Sequence, residues 1–186
     1  MSRRSPASLA LLAVLAAAPA TARPYAVDPA ASKLGFEGVF DGRPFSGAFK
    51  RWKAEIDFDP AKLQASRAAV TIDMSSVSTG VAEYDQTIAS KDWFAVGQFP
   101  TARFVAIGFR KTGPSRYEAQ GKLTIRNVTR PVALPFTLEQ QGPRVRMHGE
   151  VPLDRTQFGL GGRQWASDKP LAKTVKVKID LLATPR

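Results

Sequence analysis

The chain has no cysteine and only one histidine, His148, among its 186 residues. Without thiols it can form no disulfide, no thiolate nucleophile and no thiolate metal site. A Ser-His-Asp triad would need His148 as its base, and a zinc site would need unusual carboxylate ligation. His148 lies at the parity opposite to Val145 and Met147 on a predicted strand, which favours a solvent-facing position. The composition therefore argues against an enzyme, and we expect neither a metal nor a cofactor that takes part in a reaction.

Two polar features could still carry chemistry. Asp85 and Asp92 lie near a predicted helix, as an acid/base pair would, but helix capping or an ion pair is the better interpretation. The segment Gly159-Leu160-Gly161-Gly162-Arg163 is rich in glycine. It lacks the strand-loop-helix setting and the Lys-Ser/Thr pair of a phosphate-binding loop, so we interpret it as a flexible turn or mouth loop.

The first 22 residues have the pattern of a signal peptide. Arg3 and Arg4 precede an apolar run from Leu9 to Ala18, and Ala20-Thr21-Ala22 is an A-x-A cleavage site before Arg23. The run is shorter than the roughly 20 residues that span a membrane. The arginine pair is compatible with twin-arginine export, but no Phe-Leu-Lys follows it, which favours ordinary secretion. We therefore expect residues 1–22 to be removed and residues 23–186 to form one periplasmic domain.

Positive charge is in excess and is spread along the chain. Lys and Arg number 27 against 16 Asp and Glu, which gives a net charge of +11. Nucleic-acid binding would favour clustered cations among exposed aromatics, whereas the aromatics here share the parity of the apolar positions. We therefore expect no nucleic-acid partner. Attraction to an anionic membrane surface is compatible with the charge, although a soluble basic protein is the simpler interpretation.

Apolar residues alternate with polar residues along most of the mature chain, which predicts β-strands with one dry face. Asp41-Gly42 and Asn127 mark turns, and the parity shifts at Lys50 and Arg51, which predicts a β-bulge there. Both parities are apolar between residues 104 and 109, which indicates a strand covered on both faces. The nine alternating segments predict a barrel or sandwich of about eight strands. They are residues 34–40, 45–49, 52–58, 68–74, 104–109, 117–125, 132–136, 145–153 and 175–181.

One segment departs from this alternation. Between residues 78 and 93 there is no period-two pattern, and Val81, Tyr84 and Ile88 fall on one helical stripe. We predict a short helix lying across one mouth of the barrel.

Five glycines fall on the apolar parity, where a packed core would favour Val, Ile or Leu. Such glycines either leave room for a ligand or allow the sheet to coil, and the sequence does not decide between these alternatives. They are Gly38, Gly47, Gly108, Gly121 and Gly149.

The hairpin at residues 121–136, Gly-Lys-Leu-Thr-Ile-Arg-Asn-Val-Thr-Arg-Pro-Val-Ala-Leu-Pro-Phe, resembles the signature hairpin of the YceI-like proteins. Further resemblances follow in the family's order across nearly the whole mature chain. They lie at residues 25–28, 32–36, 45–49, 56–59, 72–79, 85–94, 99–104 and 154–159. Two positions depart from the pattern: Phe40 and Thr87-Ile88 stand where many members carry histidine and His-Leu.

The resemblance implies an all-β fold, an extended antiparallel lipocalin-like β-barrel of about eight strands with a short helix at one mouth. It also implies a periplasmic binder of long apolar molecules, such as polyisoprenoid quinones or related isoprenoid and amide lipids. The two departures suggest that this chain recognises the head group of its ligand differently. The alternative is a non-enzymatic envelope interaction module with a filled barrel core, and either monomer or homodimer fits.

For a tunnel of this kind we predict thirteen lining residues, for each of which core packing is as good an interpretation as ligand contact. They are Phe36, Phe40, Phe49, Ile72, Met74, Phe104, Leu123, Ile125, Leu134, Phe136, Met147, Val177 and Ile179.

Overall fold

The computed structural model describes residues 22–162 and 164–186. The predicted signal peptide therefore lies outside the described residues apart from Ala22. The described residues form one helix, α1 (Ala82–Ala89), and antiparallel strands throughout. The strands are β1 (Arg23–Val27), β2 (Lys33–Phe40), β3 (Arg43–Phe49), β4 (Trp52–Phe58), β5 (Arg67–Asp73), β6 (Val77–Ser78), β7 (Thr101–Lys111), β8 (Arg116–Ile125), β9 (Val128–Gln141), β10 (Arg144–Asp154) and β11 (Thr174–Pro185).

Eight of these strands close into a barrel, in the order β1, β4, β5, β7, β8, β9, β10 and β11, with β11 returning to β1. The predicted fold class is confirmed. One edge of β11 pairs with two different strands in succession. Its first half, from Lys176 to Asp180, pairs with β2, and its C-terminal end pairs with β1. The hairpin of β2 and β3 thus extends the wall beyond β1 at one end of the barrel.

The change of parity at Lys50 and Arg51 corresponds to a break in the wall between β3 and β4. These two residues lie opposite a 3-10 turn at Met74–Ser76, and the Arg51 amide donates to the Ser76 hydroxyl at 3.0 Å. The irregularity therefore involves both neighbouring segments, not one extra residue in one strand.

The double apolar parity of β7 has a different cause from the one predicted. The pairing of β7 with β8 shifts register between Ala106 and Gly108, so a β-bulge at Ile107 reverses which side chains point inward. Phe104 and Phe109 both contact the barrel interior, whereas Ile107 is 68% exposed. The prediction that this strand is covered on both faces is wrong, because a bulge produces the same pattern with one dry face.

The predicted helix is present as α1, and four of its residues line the barrel interior at one end. We call this end the mouth; it also includes the turn between β2 and β3 and residues 155–162 and 164–173. No helix in the described part of the chain is long and apolar enough to cross a membrane.

The opposite end is filled by aromatic side chains, which we call the floor: Phe58, Phe109, Tyr117 and Phe136. Phe58 packs edge-on against the other three, with ring centroids 5.3 to 5.9 Å apart. Edge-to-face packing of this kind adds to the free energy gained from burial alone.

The strands β9 and β10 pair only over their floor-end halves. Their ladder runs from Arg144 and Gln141 to Gly149 and Phe136, beyond which the two strands have no pairing with each other. A 3-10 turn at Arg155–Phe158 packs beside β9 at this point, and Arg130 of β9 donates to the Gln157 carbonyl. The mouth-end wall is therefore completed by an irregular segment.

Candidate functional site

The barrel encloses a cavity of about 450 Å³ that is bounded by side chains from every strand except β6. This volume lies within the range of small-molecule sites in proteins. Apart from aromatic residues with a polar atom, its polar lining residues are Glu83, Thr87 and Arg155. The cavity can therefore hold an apolar molecule by burying its surface, and it offers few polar partners.

The inward-facing glycines explain how a barrel rich in phenylalanine remains open. A Cβ at Gly47 would lie 2.3 Å from the Phe36 ring, and one at Gly121 would lie 2.4 Å from the Phe104 ring. Each ring thus lies over the bare backbone of the adjacent strand. Of the five glycines in our hypothesis, Gly38, Gly47, Gly121 and Gly149 lie against neighbouring atoms and do not face empty space, while Gly108 has nothing within 4 Å of its Cβ position but follows the bulge of β7 and pairs with Gln120. Gly47 and Gly121 instead let large rings pack against the wall and leave the centre of the barrel free.

All thirteen residues predicted to line a tunnel lie on the wall of this cavity. They come from the inward parity of β2, β3, β5, β7, β8, β9, β10 and β11, with Met74 just after β5. Period-two alternation is sufficient to find such residues, because a side chain's parity fixes which face of a strand it occupies. Their contact with a ligand remains a prediction.

Apart from Met74, the sequence patterns missed the lining residues that lie outside the strands and α1. Trp93 and Phe94 follow α1, Phe158 ends the 3-10 turn, and Trp165 and Leu171 belong to the loop before β11. The only available signal was the resemblance at residues 85–94 and 154–159. Irregular segments have no periodicity from which the direction of a side chain could be inferred.

Arg155 is the most unexpected of the missed residues, because it is charged and only 3% exposed. Its guanidinium donates to five backbone carbonyl oxygens and to no carboxylate. Nε donates to Ala172 at 3.0 Å, and Nη1 donates to Leu160 at 3.0 Å. Nη2 donates to the carbonyls of Trp165, Ser167 and Leu171.

These hydrogen bonds tie the loop of residues 159–173 to one side chain at the mouth. The guanidinium also lies over the Trp93 ring, 5.6 Å from its centroid, which links the loop to the segment after α1. Gly161, at φ +91°, allows this contact, since a Cβ there would lie 2.9 Å from Nη1 of Arg155. Burial lowers the pKa of Arg155, but arginine remains protonated in proteins. Because each of its three guanidinium nitrogens already donates to a backbone carbonyl, Arg155 is a structural cation of the mouth.

The cavity opens at the mouth. Among its lining residues only Phe40, Glu83, Tyr84 and Thr87 are exposed, and all four lie at the end of β2 or on α1. Glu83 and Thr87 place a carboxylate and a hydroxyl at the opening, and the Thr87 hydroxyl donates to the Glu83 carbonyl at 2.9 Å. Polar groups are thus concentrated at the opening, where the polar end of an amphiphile could reach them and water.

The other polar features predicted from the sequence have structural roles. His148 faces outward, with Nδ1 3.5 Å from Oδ1 of Asp180, whose other oxygen accepts from Arg146 at 2.6 Å. Asp85 accepts hydrogen bonds from the amide and hydroxyl of Thr79 at 2.6 and 2.7 Å. Asp85, which lies within α1, thereby ties Thr79 to the helix, whereas the N-terminus of α1 at Val81 has no side-chain cap, so the expected helix-capping role is wrong for Asp85. Among the described residues no group of His, Asp and Glu is arranged to hold a metal ion.

Comparison with known proteins agrees with this architecture. The family model of the YceI-like domain matches residues 25–183. A UPF0312 protein of Pseudomonas savastanoi pv. phaseolicola is 32% identical over 178 residues, which cover 87% of this chain and 90% of that protein. The crystal structure of Burkholderia cenocepacia BcnA has a TM-score of 0.82 and 35% identity, and covers 86% of this chain and all of that one.

A more distant structure, a polyisoprenoid binding domain from Saccharophagus degradans implicated in plant cell wall breakdown, shares the fold. Its TM-score is 0.67 at 17% identity, and the match covers 87% of this chain and 98% of that domain. The family match spans nearly all of the described residues, including both the strands of the cavity wall and the loop around Arg155. The chain belongs to the YceI-like family.

Proposed function

We propose that this protein is a periplasmic carrier that binds a long apolar molecule, of the polyisoprenoid quinone or related isoprenoid and amide class, inside its barrel. The observation that carries the proposal is the cavity of about 450 Å³, whose wall is apolar except at the mouth. The binding of polyisoprenoids by the S. degradans domain of the same fold supports this choice of ligand class. The predicted signal peptide supports the location.

Burial of hydrocarbon is sufficient to drive such binding. Each methylene group removed from water contributes about 0.8 kcal/mol, so ten groups contribute about 8 kcal/mol before the cost of association. The polar end of the ligand lies at the mouth beside Glu83 and Thr87, and its chain extends toward the floor. This orientation leaves no polar group of the ligand buried among Phe58, Phe109 and Phe136.

The alternative of an interaction module depends on a filled barrel interior, and the cavity contradicts that premise. The Thr87 hydroxyl and Glu83 are neighbours in the lining, but the hydroxyl donates to the Glu83 backbone carbonyl and not to its carboxylate. The described lining therefore shows no hydroxyl activated by a base, and a catalytic role lacks support. We therefore propose binding rather than catalysis.

Native mass spectrometry of the mature protein, purified from periplasmic extract and followed by organic extraction, tests the proposal. We expect a stoichiometric adduct of isoprenoid or long-chain character. A bare mass that stays bare after incubation with quinones and fatty amides would contradict it.

Two neighbouring alanines of β5 provide a matched pair of variants for this test. Ala68 lines the cavity, whereas Ala69, the next residue, does not. Ala68→Phe should fill part of the cavity and reduce the fraction of protein that carries the adduct, and Ala69→Phe should leave that fraction unchanged. Equal loss in both variants would mean that binding does not take place inside the barrel.

A further inference from the structure

Exposed apolar side chains are concentrated around the mouth. The described residues contain five large hydrophobic side chains that are exposed, and four of them are Val39, Phe40, Val81 and Tyr84. Val39 and Phe40 end β2, and Val81 and Tyr84 lie at the start of α1. The fifth, Ile107, lies on the outer wall in the bulge of β7. Exposed apolar residues that cluster, rather than being scattered singly, indicate an interaction site.

This cluster, which we call the apolar rim, is continuous with the cavity. Phe40 and Tyr84 line the cavity and are also exposed, at 37% and 44%. Val39 and Val81 do not line the cavity, so their side chains have no role in its wall. Their exposure, 40% and 45%, places them on the outside of the opening. An apolar path therefore runs from the outer surface of the mouth into the barrel.

Local charge argues against an electrostatic partner for the rim. The segments that carry the rim, residues 39–43 and 81–93, contain four carboxylates, Asp41, Glu83, Asp85 and Asp92, against two cations, Arg43 and Lys91. Residues 155–173 add four cations, Arg155, Arg163, Lys169 and Lys173, against one carboxylate, Asp168. These segments together contain six cations and five carboxylates, so most of the excess of positive charge lies elsewhere in the chain and charge alone does not select an anionic surface here.

We infer that the apolar rim docks the mouth of the barrel onto a lipid bilayer, inserting Val39, Phe40, Val81 and Tyr84 into the interface between head groups and acyl chains. The inference rests on the proposed function, because a ligand with a long apolar chain resides in a membrane before it is bound. Continuity of the rim with the cavity lets the ligand pass from bilayer to barrel without exposing its chain to water. Aliphatic side chains and tyrosine are suited to this interface. Docking is driven by apolar burial, so a zwitterionic bilayer is sufficient.

The test is sedimentation of the mature protein with phosphatidylcholine vesicles at low and high salt. We expect binding that persists at high salt, since apolar burial is not screened. The double variant Val39→Ser/Val81→Ser should bind at least about tenfold more weakly, because two exposed aliphatic side chains are lost from the interface. Serine is also a favoured residue before the first turn of a helix, so α1 should be retained.

Ile107→Ser is the matched control, because it removes the most exposed aliphatic side chain at a position away from the mouth. Its vesicle binding should equal that of the unmodified protein. Absence of binding to phosphatidylcholine, equal loss in the control, or binding that requires phosphatidylglycerol and disappears at high salt would each overturn the inference. So would a dimer in solution that the double variant abolishes while vesicles bind neither form, since the rim would then be a contact between two copies.

Failure of this inference can be distinguished from failure of the proposed function. Native mass spectrometry of the double variant should show the same ligand adduct as the unmodified protein, because neither valine lines the cavity. Unmodified protein that carries the adduct but does not bind phosphatidylcholine vesicles would overturn the docking inference alone. Unmodified protein without any adduct would instead overturn the proposed function.

Discussion

Aromatic side chains have different roles at the two ends of the barrel. At the floor, Phe58, Tyr117 and Phe136 are buried and packed edge-on or stacked, within regular strands. At the mouth, Phe40 and Trp165 pack together while Phe40 remains exposed. At the floor, where the strands pair on both sides, aromatic residues therefore stabilise the fold. At the mouth, where strands are replaced by a loop, they border the opening of the cavity.

This difference predicts unequal costs of removing a ring. Phe58→Ala should lower the free energy of unfolding by about 3 to 5 kcal/mol, because it leaves a cavity among three packed rings. Phe40→Ala should lower it by about 1 kcal/mol, since that ring is already partly in water. Urea unfolding measures both values. Similar losses in the two variants would contradict the distinction between floor and mouth.

The mouth has one residue on which its order depends. Arg155→Met leaves five carbonyl oxygens without their donor and should cost about 3 kcal/mol. Amide hydrogen exchange should accelerate in residues 159–173 and remain slow in the floor strands. Arg155→Lys keeps the charge but has fewer donors, so it should give an intermediate result. Uniform acceleration across the barrel would show that the loop and the floor unfold as one unit.

Replacing two glycines of the barrel wall, Gly121 and Gly108, should have smaller and clearly different effects on stability. A Cβ at Gly121 would lie 2.4 Å from the Phe104 ring and 2.7 Å from the Val105 carbonyl, whereas a Cβ at Gly108 would meet nothing within 4 Å. Gly121→Ala should therefore destabilise the protein by about 1 to 3 kcal/mol through overpacking. Gly108→Ala should change stability by less than about 1 kcal/mol. Thermal unfolding of both variants checks the prediction, and equal shifts would contradict it.

The smallest expected effect is on acid stability. The hydrogen bond from Arg110 lowers the pKa of Glu118 near the floor, and the hydrogen bond from the Thr156 hydroxyl lowers the pKa of Asp154 at the mouth. In both cases the unfolded chain takes up protons at a higher pH than the folded chain. The stabilisation is therefore complete above the ordinary carboxyl range and is lost as the pH falls below about 4.

Glu118→Gln and Asp154→Asn should each reduce the dependence of the urea midpoint on pH between about pH 3 and pH 7. Glu55→Gln is an informative comparison, because the pKa of Glu55 is also lowered, by a hydrogen bond from Lys53, on a fully exposed surface. Exposed ion pairs contribute little to stability, so this variant should show the weakest effect. A larger effect at Glu55 than at Asp154 would contradict this order.

Prediction from the sequence succeeded where periodicity determines direction. Nine of the eleven strands in the described residues, the short helix α1 and the thirteen wall positions followed from alternation and from the family resemblance, whereas β1 and β6 were not among the alternating segments. The bulge at Ile107 was misread, because a register shift of one residue and a strand buried on both faces produce the same apolar pattern. Pairing partners distinguish these cases, and a single sequence does not contain them.

The mouth was much less predictable. Arg155 is buried because carbonyl oxygens from residues 160 to 172 converge on it, and this convergence depends on the path of an irregular loop. The apolar rim was similarly hidden, since Val39 and Phe40 continue β2 and pair with β3 but lie beyond the last pairing of β2 with β11, at Glu37. The composition gives the net charge of the whole chain, but it does not show how many cations and carboxylates surround the opening of the cavity.

The position of β11 has a consequence for the order of events in time. This final strand, Thr174–Pro185, pairs with β10, β2 and β1, so the ring has no closure until the last residues of the chain are available. Before β11 pairs, the chain forms at most an open sheet whose apolar face is not covered, and such a state is prone to aggregation. Closure joins segments more than 150 residues apart, which is slow because distant contacts carry a large entropic cost. The barrel can therefore enclose a ligand only after β11 has been synthesised and has paired with its neighbours.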